Sequence, residues 1–213
     1  MIIFFSLLFV VYDYINYETY KKNWLRISLL IIPIFLQLVL TYLIKVNFEK
    51  LKFLTERDFL SKVYNRRFVH SAFPEITQKL NGQKLNIFLL DIDDFKEIND
   101  TYGHEAGDLA IQAVSKALTT NTRKMDIVAR WGGDEFFLII PNKEVISTEV
   151  ILNRIKRNLE NFSTEKRINL SISIGRSVYP DDGSRLDELA KLADKKMYKH
   201  KFKHKQSKNE NGK

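Results

Sequence analysis

Ile127-Val128-Ala129-Arg130-Trp131-Gly132-Gly133-Asp134-Glu135-Phe136-Phe137-Leu138-Ile139-Ile140 is two β-prone apolar runs joined by a glycine-rich turn, the pattern of a β-hairpin. A tight turn needs one or two residues that tolerate positive φ, and Gly132-Gly133 offers them. It does not need Asp134-Glu135 next. Bare backbone lets a phosphate come close, and carboxylates hold the metal that accompanies a nucleotide phosphate. The plainer reading is a Gly-Gly hairpin with two solvated acids, and the turn alone leaves both open.

Upstream, Leu85 to Asp93 is nearly continuous apolar sequence ending in acids. Such a run reads as a central buried strand, with Asp91 and Asp93 at its C-terminal end, a usual place for a site in a layered structure. If the hairpin pairs beside this strand, Asp91 and Asp134 meet despite their distance in sequence. Around this pair the chain alternates in type. Tyr64-Asn65-Arg66-Arg67-Phe68 opens a helix that Pro74 is expected to interrupt. Asn81-Gly82 signals a turn. Phe95 to Asp100 reads as a short helix, Tyr102-Gly103-His104 as a turn, and Asp108 to Thr119 as a helix with Ala110, Ala113, Val114, Ala117 and Leu118 on one face. Val145 to Phe162 is amphipathic. Ile168 to Ile174 alternates strictly, predicting a half-buried strand that stops at Gly175. Ser184 and Asp187 form a capping-box pattern before a last helix through about Lys201. One sheet with helices packed on it is the economical arrangement.

The chain has 213 residues, 45% of them hydrophobic, enough for a core and unlike a disordered chain. It has no cysteine, which removes disulfides and Cys-based metal sites. From Lys195 onward stand eight lysines and one acid, Glu210, so nearly all of the net charge of +8 is in a basic tail. Beyond Gln206 that tail reads as a solvated, frayed end rather than a nucleic-acid arm. Residues 27–44 carry no charge and lie between Arg26 and Lys45, the pattern of a membrane span that also tolerates Pro33. Residues 1–17 are a second candidate with a shorter uncharged part, and a signal peptide fits them poorly. Basic residues on both sides of 27–44 give only a weak vote for a cytoplasmic C-terminal side. Walker A and dinucleotide fingerprints are absent, and of four His only His104 lies near the acids, which argues against a zinc hydrolase.

Several blocks in order resemble the catalytic domain of the diguanylate cyclase (GGDEF) family. They are Asp58-Phe59-Leu60-Ser61 through Asn65-Arg66-Arg67, with Ser61 where Thr is usual, and Asp91-Ile92-Asp93-Asp94-Phe95-Lys96 through Asn99, Gly103, His104 and Asp108. Arg130 to Phe136 is the signature, and Ser173-Ile174-Gly175 and Tyr179-Pro180, then Ala193-Asp194, Tyr198 and Lys201, complete the pattern. The resemblance implies an α+β fold: a mostly antiparallel central sheet with helices around it, like a nucleotidyl cyclase or polymerase palm. It implies condensation of two GTP into cyclic di-GMP and two pyrophosphates by a homodimer. It further implies Mg²⁺ (or Mn²⁺) on Asp91, Asp134 and the Ile92 carbonyl, with Glu135 supporting the metal or the base. Asn99 and Asp108 would read guanine. Lys96, His104, Gly132, Gly133, Lys201 and Lys205 would complete the substrate site. Lys205 stands where the family usually has Arg, without bidentate geometry. Arg123 and Asp126 have the form and place of the family's inhibitory product site, with Arg154 as a distant partner.

The expected organisation is a membrane anchor over 1–45, a linker helix over 46–57, a catalytic domain over 58–202 and a basic tail over 203–213. The expected location is the cell inner membrane with the catalytic domain in the cytoplasm, and no nucleic-acid partner. Two other classes compete with a cyclase: a catalytically silent domain that senses cyclic di-GMP or GTP, and a cyclase or palm acting on another nucleotide.

Overall fold

Eight consecutive buried residues, Leu85–Ile92, form the strand that the rest of the fold flanks. The computed structural model describes residues 17–80, 82–141 and 148–211, without the side chains of 17–23, 25–30, 203–205 and 207–211. In chain order the elements are α1 (Tyr17–Glu56), β1 (Tyr64–Asn65), α2 (Arg66–Gln78), β2 (Leu85–Ile92), α3 (Phe95–Tyr102), α4 (His104–Asn121), β3 (Ile127–Arg130), β4 (Glu135–Pro141), α5 (Thr148–Lys166), β5 (Ile172–Tyr179) and α6 (Leu186–Asn211). The chain divides into two compact units, Met1–Phe53 and Leu54–Lys213.

In the first unit the described chain is α1, which continues without a break past Pro33. Ile31–Glu56 is long and apolar enough to cross a membrane by length and composition, with mean hydropathy 1.8. Residues 1–16, which hold most of the second candidate span, lie outside the described residues.

The second unit is built on a five-stranded sheet in the order β1-β3-β4-β2-β5. Among the described strands only β1 and β3 pair in parallel; the other pairings are antiparallel. Alternation along β2 and β4 sends successive side chains to opposite faces. On one face Phe88, Leu90, Ile92, Phe136 and Leu138 pack with α3, α4 and α5 through Ile98, Ala110, Val114, Leu118 and Ile155. On the other, Ile87, Leu89, Phe137 and Ile139 pack with α2 and α6 through Val69, Phe73, Leu189, Ala193 and Met197. Each such fully buried side chain contributes about 2–3 kcal/mol of apolar burial, which explains why the uninterrupted run takes the central position.

Four local expectations change. Pro74 lies inside a continuous α2, whose start is capped by the Asn65 side chain accepting from the Phe68 N–H. The last strand is Ile172–Tyr179 rather than 168–174, and Gly175 sits in its middle. A Cβ at Gly175 would meet the Ala193 carbonyl at 1.9 Å, so this glycine lets α6 lie directly on the strand. The α6 start is held by Glu188, whose Oε2 accepts from the Ser184 and Arg185 N–H groups, in place of the Asp187 capping box. The basic tail does not fray at Gln206: its backbone stays helical through Asn211. The predicted start of α5 at Val145 and the turn residue Asn81 lie outside the described residues.

Candidate active site

The β2–β4 register places Asp91 directly opposite Glu135. Asp91 shares strand parity with Ile87 and Leu89, and Glu135 with Phe137 and Ile139, so both carboxylates point to the α2/α6 face. Asp134 precedes β4, and its carbonyl accepts from the Ile92 N–H at 3.2 Å. The structure therefore brings Asp91, Ile92, Asp134 and Glu135 to one end of the sheet. From α6, Lys201 Nζ reaches Asp91 Oδ1 at 2.6 Å, with side-chain exposures of 27% and 10%.

The electrostatics of this end are short of positive charge. Burial raises the pKa of Asp91; the Lys201 hydrogen bond opposes it, while Asp134 and Asp93 add to it. Glu135 is raised by burial, then by Asp91, Asp134 and Asp194, against Arg66. Burial alone would lower Lys201, yet Asp91, Asp134 and Asp93 raise it. Among the described residues no three His, Asp or Glu side chains form a metal-holding group. The oxygen set is two carboxylates with a backbone carbonyl, which suits a hard cation that keeps water and phosphate oxygens as its other ligands. A group of mutually repelling, partly desolvated acids is the chemistry that such a cation relieves.

The turn is braced from outside. Arg130 donates through Nε and Nη2 to the Gly133 carbonyl, at 3.0 and 2.7 Å. Its Nη1 lies 3.0 Å from Asp58 Oδ1, which also accepts from the Ser61 N–H and hydroxyl. Asp58 is held below its ordinary pKa by these donors, although burial works the other way. Sequence reading quoted Arg130 and Asp58 only as parts of motifs; their pairing across the sheet has no local signal.

The turn glycines differ from expectation. Neither has positive φ; among the described residues the positive-φ glycines are Gly82, Gly103 and Gly183. A Cβ at Gly132 would meet Glu135 Oε2 at 2.9 Å, so Gly132 makes room for that carboxylate. A Cβ at Gly133 would meet nothing within 4 Å. Neither fold nor backbone demands Gly133, which is consistent with a close approach from outside the protein.

The remaining candidates lie on α3 and α4, which pack on the opposite sheet face. Asn99 is inside α3, not its C-cap: Gly103 ends the helix and its N–H donates to the Asn99 carbonyl. Asn99 Oδ1 is buried without a hydrogen-bond partner. Helix α4 begins at His104, so Asp108 is one turn inside it rather than its first residue. Lys96, His104 and Asp108 are exposed. The Lys205 side chain lies outside the described residues. Asp93, which the sequence placed beside Asp91 at the strand end without a partner, is buried and accepts from the Ser171 and Ser173 hydroxyls at 2.7 and 2.6 Å, tying β5 to the end of β2.

Arg123 and Asp126 form a tight turn away from the acidic cluster. The Arg123 N–H donates to Asp126 Oδ2 at 2.7 Å, and the Asp126 N–H donates to the Arg123 carbonyl. Asp126 is buried, which raises its pKa, and the Arg123 side chain is exposed. Arg154 is also exposed, on α5.

Comparison with known proteins agrees with this architecture. The family described as Diguanylate cyclase, GGDEF domain matches residues 55–207. Diguanylate cyclase A of Treponema denticola is 34% identical over 166 residues, covering 74% of this chain and 45% of that protein. The chain thus spans less than half the length of that relative. A microbial GGDEF domain solved with bis-(3′,5′)-cyclic di-GMP is 30% identical, with a TM-score of 0.59 over 72% of this chain and 94% of that one. Diguanylate cyclase SiaD of Pseudomonas aeruginosa, solved with its activator SiaC, shares the fold at 23% identity, with a TM-score of 0.64 over 93% of this chain and 77% of that one. A five-stranded sheet carrying Asp91 opposite Glu135 beside the Gly132-Gly133 turn, matched over residues 55–207, identifies the chain as a member of the diguanylate cyclase GGDEF-domain family.

Proposed function

We propose that the chain is a membrane-anchored diguanylate cyclase that condenses two GTP into cyclic di-GMP as a homodimer. The observation that carries this reading is the cross-strand Asp91–Glu135 pair, short of cations, at the open face of a glycine turn. Asp91, Asp134 and the Ile92 carbonyl would hold Mg²⁺ or Mn²⁺, which supplies positive charge against the phosphate oxygens and promotes loss of the hydroxyl proton. Lys201, Lys96 and Lys205 hold phosphates as point charges. Gly132 and Gly133 keep side chains away from the triphosphate, and Asp108 accepts from guanine N1–H and the 2-amino group while Asn99 contacts the same base. The 3′-oxygen of one GTP attacks the α-phosphorus of the other, the bond to pyrophosphate breaks, and the proton leaves the hydroxyl. Glu135, whose pKa burial and nearby acids raise, would take that proton. One site holds one GTP and the product joins two, so two chains face each other.

Ile31–Glu56 supports a membrane anchor, and the proposed substrate puts the catalytic domain on the cytoplasmic side. We place the organisation as anchor over 1–45, linker helix over 46–57, catalytic domain over 58–202 and basic tail over 203–213. Arg123 and Asp126 form the inhibitory product site, with the exposed guanidinium as the phosphate or guanine contact. The test is incubation of the detergent-solubilised full chain with GTP and Mg²⁺. Cyclic di-GMP is the expected product, lost on chelation and in Asp134→Ala. A folded, dimeric chain that binds cyclic di-GMP but forms none would instead be a sensor, and one that prefers ATP would be another cyclase.

A further inference from the structure

Gly107 stands inside α4 with ordinary helical backbone, where glycine costs about 1 kcal/mol relative to alanine. The residues around it, Glu105, Ala106, Leu109 and Ala110, are good helix formers, so nothing in the helix calls for a glycine. What calls for it is a side chain from the preceding helix. A Cβ built on Gly107 would lie 1.9 Å from Asn99 Oδ1 and 2.9 Å from Asn99 Cγ. The next neighbour, Phe95 Cζ at 3.2 Å, is the far end of a ring that can yield a few tenths of an ångström. Asn99 is therefore the one group that excludes a side chain at this position.

The Asn99 amide gains little from being there in return. Its Oδ1 is buried without a hydrogen-bond partner, a cost that a freely placed amide avoids by turning to water. Two unfavourable features thus meet at one contact: a glycine in a helix interior and an unpaired buried acceptor. Both are explained if the position of the amide is what matters. Pressed against Gly107, the carboxamide has its oxygen inward, and Asp108 is the next residue of α4.

We propose that Gly107 is a positioning residue for nucleobase selection: by receiving the Asn99 oxygen it seats the amide so that its N–H faces the base while Asp108 supplies the carboxylate. The inference rests on the reading of Asn99 and Asp108 as guanine contacts. Gly107 touches no substrate and acts through Asn99 alone. A methyl group at position 107 displaces the amide and costs base preference without altering the acids that face phosphate.

The test is a double-mutant cycle on the full chain in detergent, with Gly107→Ala, Asn99→Ala and the double variant. Calorimetric binding of α,β-methylene-GTP and α,β-methylene-ATP in Mg²⁺ gives the ratio of affinities, and melting temperature is followed alongside. Gly107→Ala is expected to lower the guanine preference about tenfold, as Asn99→Ala does, with little change in binding of the adenine analogue. In the Asn99→Ala background the added methyl should cost no further preference and should leave the melting temperature equal or higher, because alanine then suits the helix. An equal loss from Gly107→Ala in both backgrounds would overturn the proposal, as would a double variant that fails to fold. A guanine preference present in the parent and retained in Gly107→Ala removes the proposal alone. A parent chain without guanine preference removes the underlying reading and the proposal with it.

Discussion

Replacing Glu135 with Gln separates the energetics of the acidic cluster from its chemistry. Glu135 is raised above its ordinary value of 4.5 by burial first, then by Asp91, Asp134 and Asp194, with Arg66 opposing. A carboxyl whose folded pKa is raised stabilises the fold fully below its unfolded pKa. That contribution is lost as pH rises through the folded value. At pH 7 the Glu135 charge is therefore a net cost. The side chain is partly exposed, so each screened contact is worth only a few tenths of a kcal/mol. Three repulsions against one attraction, with partial desolvation, amount to about 0.5–1 kcal/mol. Gln keeps the shape and drops the charge. At roughly 2–4 °C per kcal/mol for a unit of this size, Glu135→Gln should melt about 2 °C higher at pH 7. The gain should fade as pH drops toward 4, where the parent carboxyl is itself protonated. Calorimetric melts of both proteins between pH 4 and 8 read this directly. Product formation in the same preparations should fall by about 100-fold or more, because an amide cannot accept the proton. A lower melting temperature at pH 7, or a gain that does not vary with pH, would refute the electrostatic account of the cluster.

Lys201→Met leaves Asp91 among like charges without its cation and should cost about 1–2 kcal/mol in a urea titration, between the values for exposed and buried pairs. Asp58→Ala removes the acceptor shared by Ser61 and Arg130 and should cost about 2–3 kcal/mol at neutral pH. Because the Asp58 pKa is lowered, its contribution is present above the ordinary value of 3.8 and lost below it. Parent and variant should therefore draw together in denaturant midpoint as pH falls below 3.8. Gly175→Ala pushes a methyl into the Ala193 carbonyl and should lift α6 from β5 at about 3 kcal/mol, seen as a lower melting temperature and a larger hydrodynamic radius.

The sequence exposed whatever is decided by burial pattern. The run from Leu85 could only be a strand covered on both faces, and the hairpin was legible from its two apolar runs. Their pairing followed from the acids at corresponding ends, although the residue facing Asp91 is Glu135, with Asp134 joined to β2 through its carbonyl. Contacts between distant elements left no such trace. Gly175 reads locally as a strand terminator, and only the backbone of α6 against it explains why the strand runs through to Tyr179. Pro74 reads as a break, yet α2 packs on the sheet through Val69 and Phe73 and continues past it. The lysine expected on phosphate was legible as a site residue, but its ion pair with Asp91 joins positions 110 apart in sequence. Gly132 was legible as a glycine with a purpose, and of its two readings the positive-φ one does not hold. It clears space for Glu135 rather than permitting positive φ.

The two sheet faces also divide the work of the proposed site. Asp91, Glu135 and Lys201 belong to the α2/α6 face, while Asn99, Gly107 and Asp108 ride on helices packed against the other. In the proposed site the acidic cluster and the base contacts thus come from different layers, which meet at the sheet end where β2 stops and the hairpin turns. A substrate that spans both must cross that end, and Gly133 is the turn residue there with nothing near its missing side chain. Its bare backbone is explained by neither layer. Under the proposed function, a ligand that needs both layers accounts for it.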